Sequence, residues 1–539
     1  MGQVTMLRAI RLWGSMMVLL SLAVAAMAQS SGEAHEAGRL VLVLPFENRS
    51  GQVNLQWIGE SFPYTLDQRL NSSGFLTISR EDRQYAMDHL GFPVDFRPTR
   101  ATTIRIAQTL DADYVVVGSF NVVNGAIQVQ AQVLRVNQLS LSRPIEDSAE
   151  LPRLFDVENA LAWKVAREID PKFPVAQQTF LSAAGGVKLS AFENYIRGTT
   201  SSASTERIKR LEAAIADEPK YTAALLSLGK AQYADRQYEA AAATMAKVPR
   251  TDRAALEAGF YLGLAKFNLA KYAESESAFA FVASRLPLPE IVNNQGVAAS
   301  RQGKDAGALF QRASTADPKD ADYHFNVAVA LLNRGDAAGT LKELDAALKL
   351  HAQDQEAKEL KLRVEAAKAG TGLKAAVETG GFEPIERIRR TYSEASFRQA
   401  AFQLDQMRAM RLAALPPAQQ AVEYSQQGRD YLAQGLVPEA ELEFQSAIAA
   451  DASSPVGHAG LAQVREQSGN IEDARAEATK SIQLKPNVIA YLVLARLDLS
   501  ANELQRSATD VGNALRLEPK NSAAMGMKAA LAARGQAIP

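Results

Sequence analysis

Cysteine is absent from all 539 residues. Without thiols there can be no disulfide framework, zinc ribbon, thiolate nucleophile or iron–sulfur cluster. Histidine is almost as scarce. The five, His35, His89, His324, His351 and His458, lie far apart, with no HExxH or H-x3-H pair. A catalytic zinc site needs nitrogen or sulfur ligands brought together, so none is expected. Charge of one sign is missing too: Lys plus Arg is 59 and Asp plus Glu is 60, a formal net charge of −1. Duplex-binding proteins carry a strong basic excess, so nucleic acid is not an expected partner. No cofactor and no enzymatic activity are expected.

What is present is ample material for packed cores. Hydrophobic residues make up 47% and charged residues 22%, outside the disordered range, and at roughly 150 residues per domain the length implies three or four folding units. Residues 1–28 have the three-part form of a secretory signal: Arg8 and Arg11, the apolar stretch Leu12 to Val24, then Ala26-Met27-Ala28. The small residues at both positions read by an export peptidase place cleavage before Gln29. The uncharged run is at the short limit for a spanning helix and lacks a basic stop, so no stable membrane insertion is expected after cleavage. With no cysteine to lipidate, the expectation is an exported, periplasmic protein of the cell envelope, with peripheral outer-membrane association left open.

Residues 39–170 read as a small α/β module. Leu40 to Leu44 is a continuous β-prone run, as for a strand buried on both faces. Trp57, Ile58, Phe62, Leu66 and Leu70 recur near helical spacing. A short strand at Phe75 to Ile78 and helical stretches around Arg80 to Leu90 and Thr102 to Leu110 follow. Tyr114 to Phe120 is the next strand, Asn124-Gly125 suits a type I′ hairpin turn, and Ile127, Val129, Ala131 and Val133 alternate with glutamines. That alternation marks a strand with one buried and one wet face. A helix from about Arg153 to Ile169 closes the module, and 171–190, opened by Pro171 and Pro174, reads as a linker of little apolar content. Pro45 to Gly51 lacks the glycines and lysine of a phosphate-binding loop, and Gly59 to Pro63 fails as a nucleophile elbow.

The segments Leu44-Pro45-Phe46-Glu47-Asn48-Arg49-Ser50, Trp57-Ile58-Gly59-Glu60 and Asp111 to Ser119 resemble, in order, the N-terminal domain of the TolB family. Related modules occur in curli- and flagella-associated envelope proteins. The resemblance implies a non-catalytic α/β domain used for protein contacts. TolB's C-terminal propeller has no counterpart here, so its function does not transfer.

The clearest signal is a period. Gly229 to Gly263 and Tyr238 to Tyr272 are each 34 residues apart. A small residue recurs at the eighth position of each unit (Gly229, Gly263, Gly296, Ala328, Gly428, Ala462, Ala495) and at the twentieth (Ala241, Ser275, Ala306, Thr340, Ala440, Ala474, Ser507). Small side chains there let two helices approach closely, and Pro219, Pro318, Pro486 and Pro519 stop the second helix. The pattern resembles the tetratricopeptide repeat family. The expected fold is thus an α/β module followed by an all-α solenoid of helix-turn-helix units. Block 1 covers 191–365 and block 2 covers 421–539, with Ser522 to Arg534 as a capping helix. Between them, 366–420 reads as a helical insertion, from Ile385, Ile388 and Tyr392, then Phe397, Ala400, Leu404 and Met407 at helical spacing. The basic cluster Arg387, Arg389 and Arg390 lies among Glu383, Glu386 and Glu394 and reads as a solvated, salt-bridged helix face.

The repeat resemblance implies a non-enzymatic scaffold that holds a partner peptide or protein in a concave groove lined by the first helix of each unit. Carried over position by position, the groove residues are Lys230, Tyr233 and Asn268, then Asn293, Arg301, Asp322 and Asn333 in block 1. In block 2 they are Arg429, Gln463, Glu466 and Arg496. Lys230, Asn268 and Arg301 match only part of the family's two-carboxylate clamp, so the ligand stays open. The alternative is a sensory or regulatory envelope component whose N-terminal module binds a small ligand.

Overall fold

The structure is a computed structural model and describes residues 40–91, 99–182, 187–252, 254–367, 372–391, 407–433 and 435–538. Residues 1–28, which read as a secretory signal, lie outside the described residues, as do Tyr392, Glu394, Phe397, Ala400 and Leu404. The chain divides into two compact units. The first draws on the chain up to Ala184 together with Leu436–Leu442 and Val464–Asp473, and the second takes the remainder.

The first unit is built on a mixed sheet of seven strands: β1 (Leu40–Val43), β2 (Glu47–Asn48), β3 (Leu76–Thr77), β4 (Tyr114–Val123), β5 (Ala126–Arg135), β6 (Ser140–Leu141) and β7 (Ile145–Glu150). The order runs β3-β1-β4-β5-β6, with β2 on β4 and β7 on β5. β1 lies parallel to β3 and β4, and its Val41, Leu42 and Val43 are buried, as a continuous apolar run requires. β4 and β5 pair antiparallel across the Asn124-Gly125 turn, where φ is 53° and 80°, the left-handed values a type I′ turn demands. Ile127, Val129, Ala131 and Val133 face inward as their period-two spacing predicts. Helices α1 (Trp57–Asn71), α2 (Arg80–His89), α3 (Arg100–Thr109) and α4 (Leu154–Ile169) complete the module.

The stretch 171–190 is not a bare linker. It contains α5 (Gln177–Ser182), and Phe173, Val175 and Phe180 are buried. Trp163 donates its indole N–H to the Val175 carbonyl at 2.9 Å. The Thr179 hydroxyl and the Ala176 amide both donate to the fully buried Glu441, which pairs with Arg465 at 2.8 Å, all within the first unit. The prolines disguised this segment in the sequence, because its apolar residues are too few to show a period.

The second unit stacks antiparallel helix pairs. They are α6 (Leu189–Thr200) with α7 (Ser204–Asp217), α8 (Thr222–Ala234) with α9 (Tyr238–Met245), and α10 (Ala255–Asn268) with α11 (Tyr272–Ala283). Next come α12 (Pro289–Ser300) with α13 (Gly307–Ala316) and α14 (Ala321–Asn333) with α15 (Ala337–Leu350), followed by α16 (Gln355–Ala366) and the short α17 (Leu373–Val377). After them come α18 (Pro417–Ala433), α19 (Val437–Ala450), α20 (Pro455–Gln467), α21 (Ile471–Leu484), α22 (Val488–Ser500), α23 (Leu504–Leu517) and α24 (Ser522–Ala533). Parts of α19, α20 and α21 belong to the first unit.

The eighth-position glycines sit where the register places them. A Cβ on Gly229 would lie 2.6 Å from Met245, and on Gly263, Gly296 and Gly428 it would lie 2.7 Å from Phe279, Phe310 and Phe444. The twentieth position adds a tie: the Ser275 hydroxyl donates to the Gly263 carbonyl and the Ser507 hydroxyl to the Ala495 carbonyl, both at 2.8 Å.

Among its described residues the insertion does not form the helical face that the spacing predicts around Ile385 and Ile388. Residues 407–413 are helical, but 382–389 form neither helix nor strand, and Arg387 and Arg389 pair with carboxylates of the repeats. Pro384 and the positive-φ pair Gly380 and Gly381 oppose a helix there, and the Ile385–Ile388 spacing only imitated one.

Two predictions follow from this packing. Gly263→Leu should lower stability by roughly 1–3 kcal/mol or more by overpacking against Phe279. The exposed Asn268, changed to alanine, should leave it within about 0.5 kcal/mol. Thermal melting of both variants beside the parent checks the register. Second, Glu158 is fully buried beneath the Ser61 and Thr65 hydroxyls, and burial pushes its carboxyl up from 4.5 to about 7. The folded state therefore keeps a proton that the unfolded chain surrenders above about pH 4.5. Stability should fall as pH rises from about 4.5 to about 7, by on the order of 3 kcal/mol at most, and stay lower above. Denaturant unfolding across pH should show that slope flattened in Glu158→Gln.

Candidate peptide-binding site

The first helices of block 1 carry asparagine where a solvent-facing helix would carry charge. Asn293 and Asn294 on α12 and Asn326 on α14 are all 0% exposed. A primary amide removed from water is costly unless its donors and acceptor are used. Here they are used on the extended segment Pro384–Arg390. Asn326 accepts from the Arg387 amide N–H at 2.7 Å and donates to the Arg387 carbonyl at 2.8 Å. Asn294 does the same for Arg389, at 2.7 Å in both directions. Asn293 donates to the Arg387 carbonyl at 2.9 Å and accepts from Asn326 at 2.7 Å. Each bidentate asparagine thus satisfies one residue's N–H and C=O, as a neighbouring strand would.

The side chains of the segment enter distinct surroundings. The Arg387 guanidinium reaches Asp354 at 2.5 and 3.0 Å, Asp322 at 2.9 Å and Glu356 at 2.9 Å, and lies 3.8 Å over the Phe325 ring. Arg389 binds Asp320, meets Asp322 at 3.0 Å and lies 5.2 Å from the centre of the Tyr323 ring. Ile388 packs against the cores around Phe260 and Phe310. The buried Glu386 accepts from the Ser300 hydroxyl and faces Arg301 at 3.6 Å. Burial works against the charge on both arginines, but the carboxylates overcome it and hold both above the ordinary guanidinium range. Burial likewise opposes ionisation of Asp354, yet hydrogen bonds from Arg387 and the Ala357 amide keep it below the usual carboxylate range. Burial pushes the Tyr323 phenol up, with Glu290 and Asp320 adding to it.

Of the residues the sequence pointed to, the structure gathers Asn293, Arg301 and Asp322 on this segment. Lys230 instead pairs with Glu257 at 2.7 Å and sits over Tyr261. Tyr233 lies beside Tyr238 and Tyr261, within 3.5 Å of the Asn268 amide, whose firmer bond is to the Leu264 carbonyl. Asn333 is exposed at the end of α14. Arg429 bonds Gln426 on its own helix α18, Gln463 and Glu466 are half-buried on α20, and Arg496 is half-buried on α22. Asn294, Asn326, Asp320, Asp354 and Glu356 escaped the sequence reading. Asn294 and Asn326 stand two residues before the eighth-position Gly296 and Ala328, an equivalence visible once the shortened unit is aligned. Asp320 and Asp354 were hidden by their ordinary role, since each accepts an amide N–H at a helix start.

Among the described residues no group of three or more His, Asp or Glu is placed to hold a metal, and no helix is long and apolar enough to cross a membrane. Residues 301–355 and 425–489 match the tetratricopeptide repeat family, whose members act in general as protein-interaction scaffolds. Among solved structures the chain is similar to MamA, at 17% identity over 28% of this chain and 90% of that one, with a TM-score of 0.27. It is similar to YrrB, described as a tetratricopeptide protein with an unusual peptide-binding site, at 16% identity over 38% and 99%, with a TM-score of 0.28. It is also similar to the LpoB C-terminal domain from Escherichia coli, at 26% identity over 22% and 88%, with a TM-score of 0.19. No curated protein sequence matches the chain.

Asn326→Ala should remove both backbone bonds to Arg387. The Arg387 carbonyl keeps its bond from Asn293, but the amide loses its acceptor, which should cost about 1–3 kcal/mol, read by denaturant unfolding, with faster hydrogen exchange at the Arg387 amide.

Proposed function

We propose that the protein is a non-enzymatic scaffold of the bacterial cell envelope whose repeat blocks hold partner proteins as extended peptides. The observation that carries this reading is the asparagine pair Asn294 and Asn326, which binds peptide backbone through both its polar edges. Main-chain bonds of that kind give affinity for any extended chain, and side-chain pockets supply selectivity. Export rests on the three-part signal at 1–28. A protein-contacting role for 39–170 rests on the TolB-like segments at Leu44 to Ser50, Trp57 to Glu60 and Asp111 to Ser119.

A photo-crosslinking amino acid at Asn268 or Asn333, on first helices, tests the groove against one at Lys349, exposed on the second helix α15. In cells of the native host, partner adducts are expected from the first two positions and not from Lys349. Equal labelling from all three would sink the reading. Mass spectrometry of the same material should find a mature N-terminus at or near Gln29, and intact Met1 would remove the envelope assignment.

A further inference from the structure

We infer that the first-block groove is a receptor for an extended peptide of pattern acid–Arg–apolar–Arg, and that Glu386-Arg387-Ile388-Arg389 is a resident occupant which a partner peptide of that pattern displaces. The inference rests on the scaffold reading above and adds the occupant, its chemistry and its removal.

Three observations carry it. First, the segment is held as a ligand is held. It belongs to no helix and pairs with no strand. Its backbone is read by Asn293, Asn294 and Asn326, and Glu386, Arg387, Ile388 and Arg389 each meet partners on the repeats, the two arginines sharing Asp322. Second, the receptacles are complementary to charge. Asp320, Asp322, Asp354 and Glu356 converge on two guanidinium groups, and Phe325 and Tyr323 offer ring faces to them. Planar, delocalised guanidinium suits both contacts at once, and a lysine ammonium does not. On the other flank Arg301 and Ser300 receive a carboxylate. Third, the segment is connected so that it can leave. Gly380 and Gly381, at φ 66° and 81°, precede it. The segment belongs to no helix or strand, so its opening breaks side-chain contacts, Ile388 against the Phe260 and Phe310 cores among them, but no helix or sheet ladder.

A tethered occupant competes at an effective concentration on the order of millimolar. A free peptide therefore binds with its intrinsic affinity reduced by the fraction of molecules whose groove is vacant. Removing the two arginines raises that fraction while leaving the receptacles intact.

The test uses the full chain and a fluorescein-labelled synthetic peptide, Gly-Phe-Glu-Pro-Ile-Glu-Arg-Ile-Arg-Arg-Thr, copied from 381–391. Anisotropy should show the peptide binding Arg387→Ala/Arg389→Ala at least tenfold tighter than the parent. Adding Asn326→Ala to that variant, or replacing both peptide arginines by lysine, should weaken binding at least tenfold. Equal affinity for parent and double variant would overturn the inference, as would a double variant that no longer melts cooperatively, because the segment would then be a fixed strut. Hydrogen exchange on the unaltered chain is an independent reading. The Arg387 and Arg389 amides should exchange at least a hundredfold faster than the slowest amides of α12 and α14, and exchange at the same rate would overturn it. Groove-specific crosslinks with no peptide binding would remove this inference and leave the scaffold reading standing. Peptide binding without such crosslinks would do the reverse.

Discussion

Two helices can pack as closely as those of this array only where one of them has nothing to put in the way. The second helix of a pair projects a large side chain, Phe279, Phe310 or Phe444, into the space a Cβ of the first helix would fill at Gly263, Gly296 or Gly428. That constraint fixes the rotation of the first helices that carry those glycines, and the buried Ala328 keeps α14 in the same register with a single methyl. Two residues earlier along a helix lies about 200° away around it, so Asn294 and Asn326 face away from their partner helices. The groove's chemistry is thus set by a packing rule. The same rule explains why two polar residues a repeat apart meet one extended chain in the same bidentate way.

Electrostatics does the rest of the selecting. Four carboxylates drawn to one place repel one another, and partial burial strengthens the repulsion by weakening solvent screening. Two guanidinium groups relieve it at Asp322, Asp354, Glu356 and Asp320, and lie over the ring faces of Phe325 and Tyr323. The arginines are therefore not the solvated face that their acidic sequence neighbours suggested. Glu386, beside them in sequence, turns instead to Ser300 and Arg301.

Legibility in the sequence followed the range of the interactions. The hairpin at Asn124-Gly125, the alternation through β5 and the 34-residue period are each written in a few neighbouring residues, and the structure reproduces them. Asn293, Arg301 and Asp322 were reachable because a repeat register transfers face by face. The partner of that face was not reachable. Ile385, Ile388 and Tyr392 fit a helical spacing, and nothing local shows that Ile388 finds its neighbours around Phe260 and Phe310 while Ile385 stays largely exposed. The buried Phe173, Val175 and Phe180 after Pro171 escaped for the same reason. Phe173 meets Phe75, and Glu441 ties down the backbone and Thr179 beside them, both far off in sequence.

Asp320 and Asp354 each do two things, and the combination bears on how such a groove can be both filled and emptied. Asp320 accepts the Asp322 amide at the start of α14, and Asp354 accepts the Ala357 amide at the start of α16. A carboxylate at a helix N-terminus is stabilised by the unpaired amides and the dipole behind it. Those helix starts hold the two charges in position whether or not a guanidinium is opposite. At these two carboxylates the arginines add affinity without being needed to set the acceptor's position. Preorganised acceptors of this kind lower the ordering cost of binding for whichever arginine-bearing chain occupies the groove.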